Sequence, residues 1–141
     1  MIVSTNGCFD ILHVGHLRYL QAARKLGDLL VVALNSDVSV RGLKGPERPI
    51  VPEADRAELL AGLACVDVVV LFDEPTPDKA LRAIQPNIHV KGGQYTEETL
   101  PEAALLKELG AEIRFIDMVA ERSSTNIIEK IKALETAKAT L

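Results

Sequence analysis

Short apolar runs rich in β-branched residues recur along the chain at residues 2–3, 29–34, 66–72, 88–90 and 113–116, each bounded by Gly, Pro, Asn or Asp. Runs of this kind, lacking the alternation of a half-wetted strand, predict strands covered on both faces, as in parallel sheets. Between them, residues 15–26, 52–63, 78–84, 101–109 and 124–138 carry apolar positions at helical spacing. In the first of these, Leu17, Leu20 and Ala23 share one face while Arg18, Arg24 and Lys25 are left to water. Strand and helix alternate throughout, which with right-handed crossovers predicts a three-layer α/β sandwich, a Rossmann-like parallel sheet of about five strands. No internal repeat, low-complexity tract or linker divides the sequence, so a single domain over residues 1–141 is expected.

In an open sheet of this type the ligand crevice lies beyond the carboxyl ends of the strands, where strand order reverses. The segments that follow strands are 5–16, 35–48, 91–95 and 117–125, and they hold most of the unusual polar residues. The second of them is expected to be a loop that ends in a cation, Lys44.

Charge narrows the partners. A formal net charge of -4 and the absence of a Lys/Arg run argue against a protein that grips nucleic acid through its phosphates. An anionic ligand must therefore be met by local positive groups. The two cysteines, Cys8 and Cys65, fit neither a disulfide framework nor zinc-ligand spacing and suit a reducing compartment. With no basic stretch leading into an apolar run and no bilayer-length apolar segment, a cytoplasmic location away from membranes is expected.

The first strand-to-helix turn carries the strongest chemical signal: Asn6-Gly7-Cys8-Phe9-Asp10, then His13-Val14-Gly15-His16. Gly7 removes a side chain where backbone passes close to a ligand, and the amides after it can donate. A helix starting near Gly15 aims its positive end at the same space, which favours phosphate. Two histidines three residues apart at a helix start can face one phosphate group, with Gly15 leaving room between them. The blander alternative has one histidine capping the helix and the other packing on the surface; the glycine and the acidic residue beside them favour the ligand.

This segment resembles the signature of the cytidylyltransferase-like nucleotidyltransferases, which share a wider superfamily with class I aminoacyl-tRNA synthetases. The likeness extends along the chain through Asn35-Ser36-Asp37, Arg41-Gly42-Leu43-Lys44-Gly45, Arg48-Pro49, Asp55-Arg56, Val66-Asp67, Val90-Lys91-Gly92-Gly93 and Arg122-Ser123-Ser124-Thr125. Within the family it is strongest for the adenylyltransferases that act on heptose 1-phosphate in lipopolysaccharide-core synthesis. The resemblance implies ATP, accompanied by Mg²⁺, and a sugar phosphate as substrates, a homodimer, and a separate sugar kinase upstream. It also implies site roles. His13, His16 and Lys44 would be catalytic. Asn6, Gly7, Cys8, Phe9, Gly15, Lys91, Gly92, Gly93, Arg122, Ser123, Ser124 and Thr125 would hold the nucleotide, and Asp10, Asn35, Asp37 and Arg48 the acceptor. Several alternatives stay open: Arg48 touches sugar phosphate or holds its loop, the paired glycines serve a base or a tight turn, and Ser123 to Thr125 bind phosphate or only cap. Gln94 stands where the heptose enzymes usually have aspartate. His89 is expected to be structural, Asp55 and Arg56 to pair, and no protein-bound metal is expected.

The mechanism so implied is in-line attack of the acceptor phosphate on the α-phosphorus, without a covalent enzyme intermediate, because alignment and charge neutralisation suffice. Two competitors remain. One is a glycerol-3-phosphate or ethanolamine-phosphate cytidylyltransferase, disfavoured because the arginine those enzymes carry before Val-Asp is absent from Leu63-Ala64-Cys65-Val66-Asp67. The other is a non-catalytic nucleotide-binding or receiver-like module, for which paired histidines have no use.

Overall fold

The computed structural model describes residues 1–117 and 123–139. Five strands, β1 (Ile2–Gly7), β2 (Leu29–Asn35), β3 (Val68–Phe72), β4 (Ile88–Gly92) and β5 (Glu112–Ile116), form one all-parallel sheet in the order β3-β2-β1-β4-β5. The order reverses beside β1, where β4 lies on the opposite side from β2, so the crevice falls at the ends of β1 and β4. The register sets Thr5 opposite Val90 and Gly7 opposite Leu34, bringing the turn after β1 to the same edge as the ends of its neighbours.

Helices α1 (Val14–Arg24), α2 (Asp37–Lys44), α3 (Glu53–Ala61), α4 (Asp78–Ile84), α5 (Ala103–Glu108) and α6 (Ser124–Ala139) complete the fold. Val3, Leu30, Val32, Leu34, Ile88 and Val90 point to one face, where Leu20 and Ala23 of α1 and Leu60 of α3 cover them. The opposite face is shared by α4 and α5: Ala33 and Phe72 pack on Ala80, and Ile113 packs with Leu81 and Leu106. Successive strand residues thus serve opposite layers. Arg24, at the end of α1, pairs at 2.9 Å with Asp67, whose carboxylate also accepts from the Leu30 amide.

Three boundaries differ from the sequence expectation. β1 runs on through Ser4, Thr5 and Asn6, polar residues that end the apolar run but not the ladder. The Thr5 hydroxyl donates to the Val90 carbonyl and meets the Tyr19 hydroxyl, so its polarity is satisfied inside. β3 begins at Val68, two residues after its apolar run starts. The segment expected as a loop before Lys44 is helix α2. Ser36 caps it by accepting from the Ser39 amide, Asp37 places a negative charge in its first turn, and Gly45, at φ 98°, ends it. Eight residues with a glycine inside, and with Val38 and Leu43 left exposed, are too short and too little buried to stand out as a helix.

No helix among the described residues is long and apolar enough to cross a membrane. Leu20 is fully buried between α1 and the sheet. Leu20→Ala should lower unfolding stability by about 2–5 kcal/mol in urea denaturation, and a loss below about 1 kcal/mol would contradict this packing.

Candidate active site

A cavity of about 510 Å³ opens at the carboxyl ends of β1, β2 and β4. Its rim begins with the turn after β1, where Phe9 and Ile11 adopt left-handed backbone (φ 47° and 54°), unusual for such side chains. The Phe9 ring folds back over Gly7, and a Cβ at Gly7 would stand 2.9 Å from it. That close approach is what the glycine permits.

Asp10 fixes the turn from inside. Its carboxylate accepts from the amides of Ile50 (2.8 Å) and Val51 (2.9 Å) and from Arg48 Nε (3.2 Å). Burial alone would raise its pKa, but these donors together hold it below the usual carboxylate range. The Ser124 hydroxyl donates to the Asp10 carbonyl, tying the start of α6 to this turn.

The histidines start α1. His13 is the N-cap, its Nδ1 accepting from the Gly15 amide at 3.0 Å, and His16 Nδ1 accepts from the His13 amide at 3.3 Å. The rings stack with centroids 3.9 Å apart, and His16 also lies against Phe9 at 5.2 Å. Desolvation, then the fields of His13 and Lys44, push the His16 pKa down to about 4. His16 is therefore neutral at pH 7. With Nδ1 engaged as acceptor, its proton sits on Nε2, which donates. Each histidine uses one nitrogen on backbone; His16 lines the cavity and His13 lies behind it.

A buried arginine holds these parts together. Arg56 of α3 is fully buried; its Nε donates to the Val51 carbonyl, its Nη1 to the carbonyls of Cys8 and Asn35, and its Nη2 pairs with Asp37 at 2.8 Å. The expected Asp55–Arg56 pairing is thus replaced by Asp37–Arg56, because position 56 faces inward with Leu60 while Asp55 faces water.

The opposite wall is built from β4 and the start of α5. His89 accepts from Ser4 at Nδ1 (2.7 Å) and donates from Nε2 to Asn6 Oδ1 (3.2 Å), and Lys91 donates to that same oxygen at 3.2 Å. Lys91 lies 5.3 Å from the Tyr95 ring centre. Gly92 and Gly93 pass so close to the Gln94 and Asp117 side chains that a Cβ on either would collide.

Of the residues singled out on sequence, the cavity is lined by Asn6, Gly7, Cys8, Phe9, Asp10 and His16, together with Asn35, Lys44, Lys91, Gly92 and Ser124. Lys44 is exposed at the end of α2. His13 and Gly15 lie behind His16 in the first turn, and Gly93 bonds back to Ile116. Ser123 accepts from the Asn126 amide as a cap, and Thr125 is exposed in the first turn of α6. Arg122 lies outside the described residues. Of the residues expected on the acceptor, Asp10 is bonded to the 48–51 segment and Asp37 to Arg56, whereas Arg48 gives Nε to Asp10 and its buried Nη2 has no hydrogen-bond partner. Three lining features were not foreseen: Tyr19 of α1, Pro75 to Pro77 after β3, and Leu100 to Glu102 before α5. The rule that ligands sit beyond strand ends would have found Pro75 to Pro77, since they follow β3 directly. Among the described residues no cluster of three or more His, Cys, Asp or Glu side chains is placed to hold a metal.

An open parallel sheet thus brings paired histidines at the first helix start and a cation after the second strand to one crevice, groups suited to an anionic phosphate. The chain belongs to the cytidylyltransferase-like family, whose model matches residues 4–130, and it is a nucleotidyltransferase. It is 56% identical over 130 residues to the bifunctional protein HldE of Syntrophotalea carbinolica, spanning 92% of this chain and 26% of that protein. The HldE of Geotalea uraniireducens is 55% identical over 131 residues, spanning 93% and 27%. The chain thus covers about a quarter of the length of these relatives. Among solved structures it resembles a lipopolysaccharide core biosynthesis protein from Thermoplasma volcanium, with TM-score 0.69, 32% identity, and 84% and 96% of the two chains covered. A pantothenate synthetase from Thermus thermophilus shares the fold at TM-score 0.62 and 18% identity, over 89% and 60% of the chains.

Two outcomes follow from this geometry. In an NMR titration His16 should stay neutral down to about pH 4. Since the folded state then binds fewer protons than the unfolded chain, stability should fall as pH drops from about 6.5 to about 4. His16→Gln should remove part of that fall. Arg56→Met should cost about 3–5 kcal/mol in chemical denaturation, since it strips donors from three carbonyls and leaves Asp37 unpaired.

Proposed function

We propose that this chain transfers AMP from ATP to heptose 1-phosphate, releasing pyrophosphate, in the synthesis of ADP-heptose for lipopolysaccharide core. The observation that carries the reading is the stacked His13–His16 pair, with its outer member on the wall of a cavity that Lys44 also lines. HldE relatives above 50% identity and a lipopolysaccharide core biosynthesis protein among the structural neighbours support the choice of acceptor.

In this reading the triphosphate lies across the turn after β1 and the start of α6, with Ser123, Ser124 and Thr125 presenting hydroxyls and amides to it. Lys91, Gly92 and Gly93 close the nucleoside side. His16 donates from Nε2 to the α-phosphoryl oxygens as charge grows, Lys44 follows the departing pyrophosphate, and His13 holds His16 in register. The acceptor phosphate is already anionic, so it attacks the α-phosphorus in line without a base. Mg²⁺ bound to ATP would supply charge neutralisation at the leaving pyrophosphate, beside Lys44. Asp10, Asp37 and Arg48 act on substrate through the loops they hold, while Asn35 reaches the cavity directly. The enzyme works in the cytoplasm, a sugar kinase activity supplies the sugar phosphate, and two copies form a homodimer, for which exposed Val68 and Leu71 on edge strand β3 offer apolar surface.

The test is pyrophosphate release with Mg²⁺, pairing ATP or CTP with heptose 1-phosphate or glycerol 3-phosphate. Release with ATP and heptose 1-phosphate is expected; release with CTP and glycerol 3-phosphate alone would overturn the substrate assignment. His16→Ala and Lys44→Ala should each lower kcat by about a hundred- to a thousandfold. Turnover within a few-fold of wild type for both would end the mechanism.

A further inference from the structure

Glu102 is a buried ionisable group that the roles above leave without a use. It stands at the N-terminal boundary of α5, yet its side chain does not cap that helix. Only 4% of it is exposed, and it forms part of the cavity wall. Burial would raise its pKa, but the His89 ring and the Lys91 ammonium outweigh that and hold it below the usual carboxylate range. Glu102 is thus a carboxylate at neutral pH.

Its hydrogen bonding is incomplete. Oε1 has no hydrogen-bond partner, lying 3.6 Å from His89 Nε2 and 4.0 Å from Lys91 Nζ. Both neighbours direct their protons elsewhere: His89 Nε2 donates to Asn6 Oδ1, and Lys91 donates to the Asn6 carbonyl and Oδ1. The two groups temper the charge without filling the acceptor. A buried carboxylate oxygen left this way is a standing energetic penalty unless a ligand supplies the donor.

The cavity is chemically divided. Around Glu102 it is lined by Pro75, Pro77, Tyr95, Leu100 and Pro101, surfaces suited to the C–H face of a polyol. Its other end carries His16, Lys44 and Ser124, which suit phosphate. With Glu102 balancing Lys91 at the first end, phosphate is drawn to the second, where His16 and Lys44 line the wall.

We propose that Glu102 is a specificity-determining residue that accepts a hydroxyl of the phosphorylated acceptor, so that the acceptor enters with its hydroxyls against the start of α5 and its phosphate toward His16. This rests on the reading of the chain as a nucleotidyltransferase with a hydroxylated phosphate acceptor. The ribose of the nucleotide carries the same chemistry, and the experiment separates the two.

Steady-state constants are measured for wild type, Glu102→Gln and Glu102→Leu, with heptose 1-phosphate and its monodeoxy analogues as acceptors and Mg-ATP as donor. For Glu102→Leu the acceptor KM should rise about ten- to hundredfold, the loss of one charge-assisted hydrogen bond, with the KM for ATP within twofold. One monodeoxy acceptor should show that same loss on wild type and no further loss on Glu102→Leu. A rise in the KM for ATP instead assigns Glu102 to ribose and overturns the proposal. So does a joint rise of both constants with no monodeoxy acceptor distinguishing variant from wild type. Should Glu102→Leu fail to fold, the deoxy series on wild type and Glu102→Gln decides, and a flat series overturns the assignment. If wild type turns over CTP and glycerol 3-phosphate instead, the proposed function falls, and Glu102 is judged on glycerol 3-phosphate and its monodeoxy forms. Preference for ethanolamine phosphate, which has no free hydroxyl, or no binding of any hydroxylated phosphate, overturns it.

Discussion

The guanidinium of Arg56 sits where four pieces of backbone converge, and the arrangement of the site depends on it. Its planar fork reaches the ends of β1 and β2 through the carbonyls of Cys8 and Asn35, the 48–51 segment through Val51, and the start of α2 through Asp37. A lysine has no geometry to bridge so many acceptors at once. Because the interior gives these carbonyls no water, the arginine and the backbone are mutually obligatory. Asp10 makes a second junction of opposite sign a few ångströms along the same turn, gathering the Ile50 and Val51 amides. A cation bound by carbonyls and an anion bound by amides thus clamp the 48–51 segment against the first turn.

This clamp explains how a strained turn persists. Phe9 and Ile11 hold left-handed backbone that would relax in an isolated peptide. Here Arg56, the Ile50 amide and Ser124 each bond to the turn from a different element, so it cannot relax without breaking contacts in α3, the 48–51 segment or α6. The histidines begin where the turn ends. Their stacking and their bonds to the His13 and Gly15 amides are set by where the chain enters α1.

How much of this was visible in the sequence follows from what periodicity measures. Five strands and five of six helices stand out because apolar runs and helical spacing report burial directly. α2 does not, since its formation rests on a serine cap and a terminal glycine more than on a buried stripe. The histidines, Gly7 and Lys44 were legible as types of residue that phosphate chemistry requires in one place. Arg56 was visible as a charged residue but its burial was not, because a buried arginine is identified by the acceptors it reaches, and those lie 5 to 48 residues away in sequence. His89, expected to be structural, is fully buried and bonds to Ser4 and Asn6; only those partners, on the adjacent strand, could not be read from its apolar sequence neighbours.

The alternation of β1 and β4 between two unlike layers divides what a substitution there can change. Val3 and Thr5, with Ile88 and Val90, face α1 and α3, whereas Ser4 and Asn6, with His89 and Lys91, build the polar strip under α5. Neighbouring positions in these strands therefore answer different demands, one the apolar layer and the next the polar strip. Ser4 and His89 form the strip's buried base, and only Asn6 and Lys91 reach the cavity, so a substitution at those two alters its wall without touching the apolar layer.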